Sequence, residues 1–248
     1  MSRPDRDRVV IVTGAATGIG RATALALGET GAFVYVLDID SEGGSEVADH
    51  IEHSRFIPCD VTSEEAVNVA LDEIGEESMH VDVLVNNAGG FPTQRSLEET
   101  SLTEWRQIVD LNLTSVFLVT RAALPLLRRS EAGRIINIGS LAGQLANYRT
   151  SPPYAAAKAG VHSLTRVLAW ELASEGITVN SLAPSAVMTE RIKQLRGEAE
   201  RQATAASIPL GRYQEPDEVA QWVLYLASPE AGFMTGQTVS VNGGRFMA

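Results

Sequence analysis

The chain has 248 residues, with 20 Lys and Arg against 31 Asp and Glu for a formal charge of −11, and a hydrophobic share of 44%. That length supports one sizeable α/β domain, and the acidic balance, which repels phosphate backbones, excludes nucleic acid as the expected partner. A single cysteine, Cys59, leaves no intramolecular disulfide framework and no structural zinc site, so a reducing, cytoplasmic setting is expected.

In chain order, Met1 to Arg8 lacks the apolar stretch of a secretory signal and is expected to be a short arm. Short β-branched runs then alternate with longer segments of helical period, the pattern of parallel strands joined by crossover helices. The runs predict strands over 9–13, 33–38, 55–58, 81–86, 134–139, 178–182 and 238–241. All are short and apolar, as strands covered on both faces should be. Helices are predicted over 21–29, 63–74, 103–127, 154–175 and 216–227, with Gly31 and Gly176 placed where two of them stop. The mostly apolar region 108–127 is broken by Asp110, Asn112, Arg121 and Pro125, which argues against a membrane span. No linker or repeat divides the chain, so residues 1–248 are expected to form a single domain. One stretch, 185–212, is polar, Ala-rich and breaks the alternation. It is either a lid over the carboxyl edge of the sheet, where open α/β sheets bind ligands, or a plain surface helix pair.

Gly14, Gly18 and Gly20 lie in a turn between the first strand and the first helix. Glycines there let the backbone approach a pyrophosphate, and the free N–H groups at the helix start attract it. The spacing Gly-x-x-x-Gly-x-Gly differs from the standard dinucleotide fingerprint, and three glycines also suit an ordinary tight turn. Asp38 ends the second strand, where a carboxylate can accept from the ribose hydroxyls of a dinucleotide and repel a 2′-phosphate. Asp40 follows, and positions 15–19 and 37–42 hold no Arg or Lys. These residues point to NAD rather than NADP, although a lone Asp at a strand end is also an ordinary turn residue.

Tyr154 and Lys158 are four apart in a helical pattern and project from one face. A lysine beside a tyrosine favours phenolate, making the phenol an acid or base near neutrality. Ser140 ends a strand at the same carboxyl edge. Taken alone, the pair is an ordinary surface pair and Ser140 a loop hydroxyl.

From Val9 to the C-terminus the chain resembles the short-chain dehydrogenase/reductase family. The resemblance is carried by Thr13-Gly14-x-x-x-Gly18-Ile19-Gly20, Asp60-Val61, Asn86-Asn87-Ala88-Gly89, Asn112, Ser140, Tyr154-x-x-x-Lys158, Asn180-Ser181-x-x-Pro184 and Thr235-Gly236-Gln237. It implies a Rossmann-type, doubly wound parallel seven-stranded sheet in the order 3-2-1-4-5-6-7, flanked by helices on both faces. It also implies Tyr154 as acid/base, Lys158 as the group that lowers its pKa and holds the nicotinamide ribose, and Ser140 as the hydroxyl that positions the substrate oxygen. Asn112 would hold a water linking Lys158 to solvent. Gly14, Thr17, Gly18, Ile19 and Gly20 would form the pyrophosphate turn, Asp60 and Val61 the adenine contacts, and Asn87, with Ala88 and Gly89, the adenosine ribose side. Pro184, Val187 and Thr189 would face the nicotinamide, and a homotetramer would assemble through the helices 103–127 and 154–175 and the C-terminal segment.

Two departures stand out. Ser140 and Tyr154 are 14 residues apart, one more than the family's usual spacing, which should reshape a loop wall of the substrate pocket. Ser185 follows Pro184 where the family usually has Gly, which should narrow the pocket or alter the start of the lid. Among the remaining residues, His50, His53 and His80 are scattered without metal spacing, and His162 is expected at a helix interface. Cys59 is expected to be buried and inert, and Trp105, Trp170 and Trp222 to be packing or subunit contacts.

The expected function is NAD-dependent interconversion of a small-molecule secondary alcohol and a ketone. Similarity to 3-oxoacyl-carrier-protein reductases across Asn112 to Phe117 and Tyr154 to Gly160 makes that activity the alternative, although those enzymes generally favour NADPH. The spacing of 14 and the Pro184-Ser185 pair also resemble NAD-dependent aryl-alkyl secondary-alcohol dehydrogenases, and a sugar or polyol dehydrogenase and, outside enzymes, an NAD-sensing regulator complete the set. The regulator should show degraded catalytic positions, whereas Asn112, Ser140, Tyr154 and Lys158 are all present.

Overall fold

The computed structural model describes residues 8–90, 95–145 and 150–247. Residues 1–7, where the sequence suggested an arm, lie outside the described residues, as do 146–149 between Ser140 and Tyr154.

Seven parallel strands, β1 (Val9–Thr13), β2 (Phe33–Asp38), β3 (Ser54–Pro58), β4 (Val83–Asn86), β5 (Arg134–Ile138), β6 (Thr178–Pro184) and β7 (Thr238–Val241), form one sheet in the order β3-β2-β1-β4-β5-β6-β7. This is the order expected, and the strand boundaries agree with the sequence pattern to within two residues. Every residue of β1, β4, β5 and β6 is buried, which is why these strands show no polar alternation. The order reverses between β1 and β4, leaving a crevice outside their carboxyl ends.

Helices cover both faces. On one side, α1 (Gly18–Glu29) packs against α9 (Pro216–Ala227), and α2 (Ser41–Asp49) lies against β3. On the other, α3 (Glu64–Glu77) packs against α5 (Ser115–Leu127), and α4 (Leu102–Val109) against α6 (Pro152–Leu172). The two faces bury separate apolar clusters, one containing Ile11, Leu84 and Ile135, the other Val12, Val85 and Ile136, as the alternation of side chains along a strand requires.

Three elements differ from the sequence pattern. The α2 helix was not expected, because Gly43 and Gly44 depress helix propensity. A Cβ on Gly44 would sit 2.1 Å from the Phe56 ring, so close packing on β3 requires the glycine, and the Asp40 cap on Gly43 N–H starts the helix. The predicted helix 103–127 is continuous but contains one π turn, Asp110–Thr114, between α4 and α5. Its length and a mean hydropathy of 1.3 would let it cross a bilayer; here its apolar face is spent on α3 and the sheet. Finally, the stretch 185–212 forms two short helices, α7 (Glu190–Leu195) and α8 (Glu198–Ala206).

Candidate active site

A groove of about 840 Å³ runs along the carboxyl edge of the sheet from Asp38 to Tyr154, with α7 along one wall. Every site residue expected from the sequence lines it except Gly20 and Asn112, which lie behind the wall and are buried.

The glycine turn at one end is compact. Gly14 and Gly18 take left-handed φ of +62° and +56°, open to glycine at little cost. A Cβ on Gly14 would approach Ala88 Cα to 2.7 Å, and one on Gly20 would lie 2.0 Å from Gly14 O. The turn is tied to the end of β4: Asn87 Nδ2 donates to Thr13 O (3.0 Å) and Gly14 O (2.9 Å), and the N–H groups of Asn87 and Ala88 both donate to Thr13 Oγ1. Asn87 thereby spends its amide donors on the turn. Thr17 precedes α1 without capping it, so the first N–H groups of the helix receive no side-chain cap. This glycine cradle, opening on helix N–H groups that no side chain caps and continuing into a long groove, fits a nicotinamide dinucleotide.

Asp38 stands differently from expectation. Its Oδ2 accepts the N–H of Ala16 (2.9 Å) and its Oδ1 that of Asp40 (3.0 Å), which pins the glycine turn to β2. Asp60 likewise serves its own loop, accepting from Thr62 N–H and Oγ1, and Val61 and Cys59 are buried beside it. Burial pushes the Cys59 thiol up to about 11, with the Asp60 charge adding to the effect.

At the other end, α6 brings Tyr154 and Lys158 beneath the end of β5. Tyr154 is hydrogen-bonded to Ser140, whose Oγ also accepts from Ala142 N–H (3.1 Å). Lys158 Nζ donates to Ile138 O (2.8 Å) and lies 5.7 Å from the Tyr154 ring centroid. Burial raises the Tyr154 pKa above the usual phenol value, opposed by the Ser140 hydrogen bond and by the Arg191 charge. Burial lowers Lys158 to about 8. In the free protein burial outweighs the groups that favour phenolate, so the phenol is not lowered on balance as the Tyr–Lys spacing had suggested. The ammonium donates to a strand carbonyl, and a further charge that favours phenolate comes from Arg191 on α7, a residue that sequence reasoning missed because nothing local marks it.

Asn112 sits in the π turn. Its Oδ1 accepts from Gly90 N–H while its Nδ2 donates to Gly90 O and Ile108 O, each at 2.8 Å. A Cβ on Gly89 would lie 2.7 Å from Asn112 Oδ1 and 3.2 Å from Lys158 Nζ, so these two groups converge on the same glycine. A π turn at this point is the local distortion that functional sites often carry.

The opening of 185–212 reaches across the groove. Val187 pairs with Gln214 in a single parallel bridge, and Thr189 caps α7 through Ile192 N–H while its methyl faces Gly18, 3.0 Å from a Cβ built there. Ser185 accepts from Arg245 Nη1 (3.2 Å), so its side chain ties the start of this segment to the C-terminal tail. Among the described residues no cluster of His, Cys, Asp and Glu could hold a metal.

A family model described as enoyl-(acyl carrier protein) reductase matches residues 14–245. The chain is 41% identical over 241 residues to 3-oxoacyl-(acyl-carrier-protein) reductase FabG of Vibrio cholerae, covering 97% of this chain and 98% of that protein. It is 39% identical over 245 residues to FabG of Pseudomonas aeruginosa, with 97% and 98% covered. Among solved structures, the Pseudomonas aeruginosa RhlG/NADP active-site complex superposes with a TM-score of 0.91 at 35% identity, covering 98% of this chain and 99% of that one. The gox2181 structure gives 0.93 at 34%, covering 97% and 98%. The expectation of NAD in preference to NADP is overturned here: a neighbour matching nearly the whole chain is an NADP complex. The carboxylate that carried the expectation, Asp38, serves two main-chain N–H groups as a turn residue does. The fold, the ordered motifs and the full-length similarity place the chain in the short-chain dehydrogenase/reductase family, as an oxidoreductase.

Proposed function

We propose that the protein is an NADP(H)-dependent 3-oxoacyl thioester reductase, the activity the sequence had carried as the alternative to general alcohol and ketone interconversion. The observation that carries the reading is the convergence of Ser140, Tyr154 and Lys158 on one end of a dinucleotide-sized groove. It is supported by full-length similarity to relatives named for that reaction.

Gly14, Thr17, Gly18, Ile19 and Gly20 hold the pyrophosphate, with Asp60, Val61, Asn87, Ala88 and Gly89 along the adenosine half. Pro184, Val187 and Thr189 border the nicotinamide, which supplies the hydride when the dinucleotide is bound. Ser140 donates to the ketone oxygen and orients it. Tyr154 gives its proton to that oxygen as negative charge develops there, and a phenol held above its usual pKa by burial is in the protonated form this direction needs. Lys158 keeps a cation beneath the phenol and holds the nicotinamide ribose, while Asn112 fixes the adjoining chain at Gly90. Residues 185–212 act as a lid over the site, within one domain spanning the chain. Exposed Leu102, Phe117, Val167 and Trp170 on α4, α5 and α6 support assembly into a homotetramer. The setting is cytoplasmic.

The test is the initial rate with NADPH and with NADH against an acetoacetyl thioester, a simple aryl ketone and a keto sugar. The proposal requires the thioester with NADPH to be the preferred pair. Preference for either other ketone would overturn it. Replacing Tyr154 with Phe should lower kcat about 10²–10⁴-fold while leaving dinucleotide affinity nearly unchanged, and unchanged turnover would remove the assigned role.

A further inference from the structure

We infer that His162 is a positioning residue: it holds the main chain at Ser140 and so fixes the hydroxyl that orients the substrate carbonyl. The inference rests on the role proposed for Ser140.

The α6 helix presents Tyr154, Lys158 and His162 at successive four-residue steps, so the three side chains form one ladder on one face. Each rung meets the end of β5. Tyr154 bonds the Ser140 side chain, Lys158 Nζ donates to Ile138 O at 2.8 Å, and His162 Nε2 lies 3.0 Å from Ser140 O. A carbonyl oxygen only accepts, so Nε2 carries the proton. On the far side of the ring, Nδ1 lies 3.0 Å from Ser181 Oγ on β6. Burial, with Lys158 and Arg166 on the same helix, holds the imidazole below its usual pKa, and the Ser140 carbonyl opposes them. The neutral ring therefore accepts the Ser181 hydroxyl proton at Nδ1 and donates to Ser140 from Nε2. The residues facing it from the other elements, Gly139 to Gly143 and Ser181, bring no titratable group.

Packing shows that the segment is shaped around this ring. A Cβ on Gly139 would lie 2.2 Å from His162 Cε1, and one on Gly143 2.7 Å from Cδ2. Gly139, next to Ser140, thus makes room for an imidazole that is 4% exposed, while Gly143 lets the segment close on both that ring and the α6 main chain at Lys158 and Ala159. Anchored by its carbonyl from below, Ser140 keeps an extended backbone (φ −168°, ψ 152°) that aims Oγ at the phenol.

The experiment is a double-mutant cycle. His162→Leu and His162→Gln are made in the wild type and in Ser140→Ala, and kcat, KM for an acetoacetyl thioester and the dinucleotide Kd are measured for each. His162→Leu should lower kcat about tenfold with dinucleotide Kd unchanged. His162→Gln, whose amide can donate to the same carbonyl, should recover most of the rate. Neither change should cost anything further in the Ser140→Ala background. A His162→Leu loss that persists undiminished in Ser140→Ala, or a His162→Leu enzyme with wild-type kcat, would overturn the inference. Should His162→Leu fail to fold, the Gln variant carries the same cycle: most of the rate should be kept, and a tenfold loss independent of Ser140 counts against. If Ser140→Ala alone keeps wild-type kcat, it is the role proposed for Ser140 that falls.

Discussion

At the scale of single residues, the site is governed by what burial does to three groups on one helix. Lys158 is 3% exposed, so its ammonium has lost water and gained one strand carbonyl, and its pKa falls from 10.5 to about 8. The sign of the consequence follows from proton binding. Between those values the unfolded chain holds a proton that the folded protein does not, so the contribution of Lys158 to stability is lowest below pH 8 and rises as pH climbs to 10.5. Urea unfolding of the wild type and of Lys158→Met at pH 7.5 and pH 10 isolates this term, because other titrating groups cancel in the difference. The stability difference should move toward the wild type by about 2–3 kcal/mol; a difference that does not change with pH would show a lysine that keeps its ordinary pKa. Tyr154, Ser140 and Lys158 were legible because residue type, spacing and order carry them. The carbonyl partner of Lys158 was not, since it lies 20 residues away on strand β5.

At the scale of elements, what matters is which neighbour each helix lends a side chain to. Residues 185–212 left two readings open in sequence, a lid or a plain surface helix pair, and the position of α7 along the groove supports the proposed lid. Through α7, Arg191 stabilises the phenolate form of Tyr154, and its guanidinium also borders Gly90, with Nη1 3.1 Å from a Cβ built there. Removing that charge raises the phenol pKa. In Arg191→Met, the pH profile of alcohol oxidation, which needs the deprotonated phenol, should therefore shift to higher pH, and its position should become less sensitive to added salt. A profile unmoved by the substitution would mean that α7 leaves the phenol alone in solution. The same logic explains the glycines of α2: Gly44 breaks helical propensity yet remains because Phe56 occupies the space a Cβ would need.

At the scale of the whole molecule, the unsettled surface is the outer side of α4, α5 and α6, where Trp170 is 89% and Leu102 63% exposed. An indole so placed on a chain of charge −11 belongs to an interface more naturally than to water. Trp170→Glu should convert the proposed tetramer to smaller species by light scattering after gel filtration, with the monomer's circular dichroism preserved; a tetramer unaffected by the change would place the interface elsewhere. The sequence by itself determined the strand alternation, the glycine turn and the residues of the proposed catalytic set, because strands buried on both faces and residues with special backbone or chemical demands leave local, ordered marks. Only the tertiary structure decided that Asp38 pins the glycine turn to β2, that Lys158 and His162 brace the end of β5, and that Arg191 reaches the phenol. Those are contacts between segments distant along the chain, and their free energy depends on burial and direction, which no local pattern records.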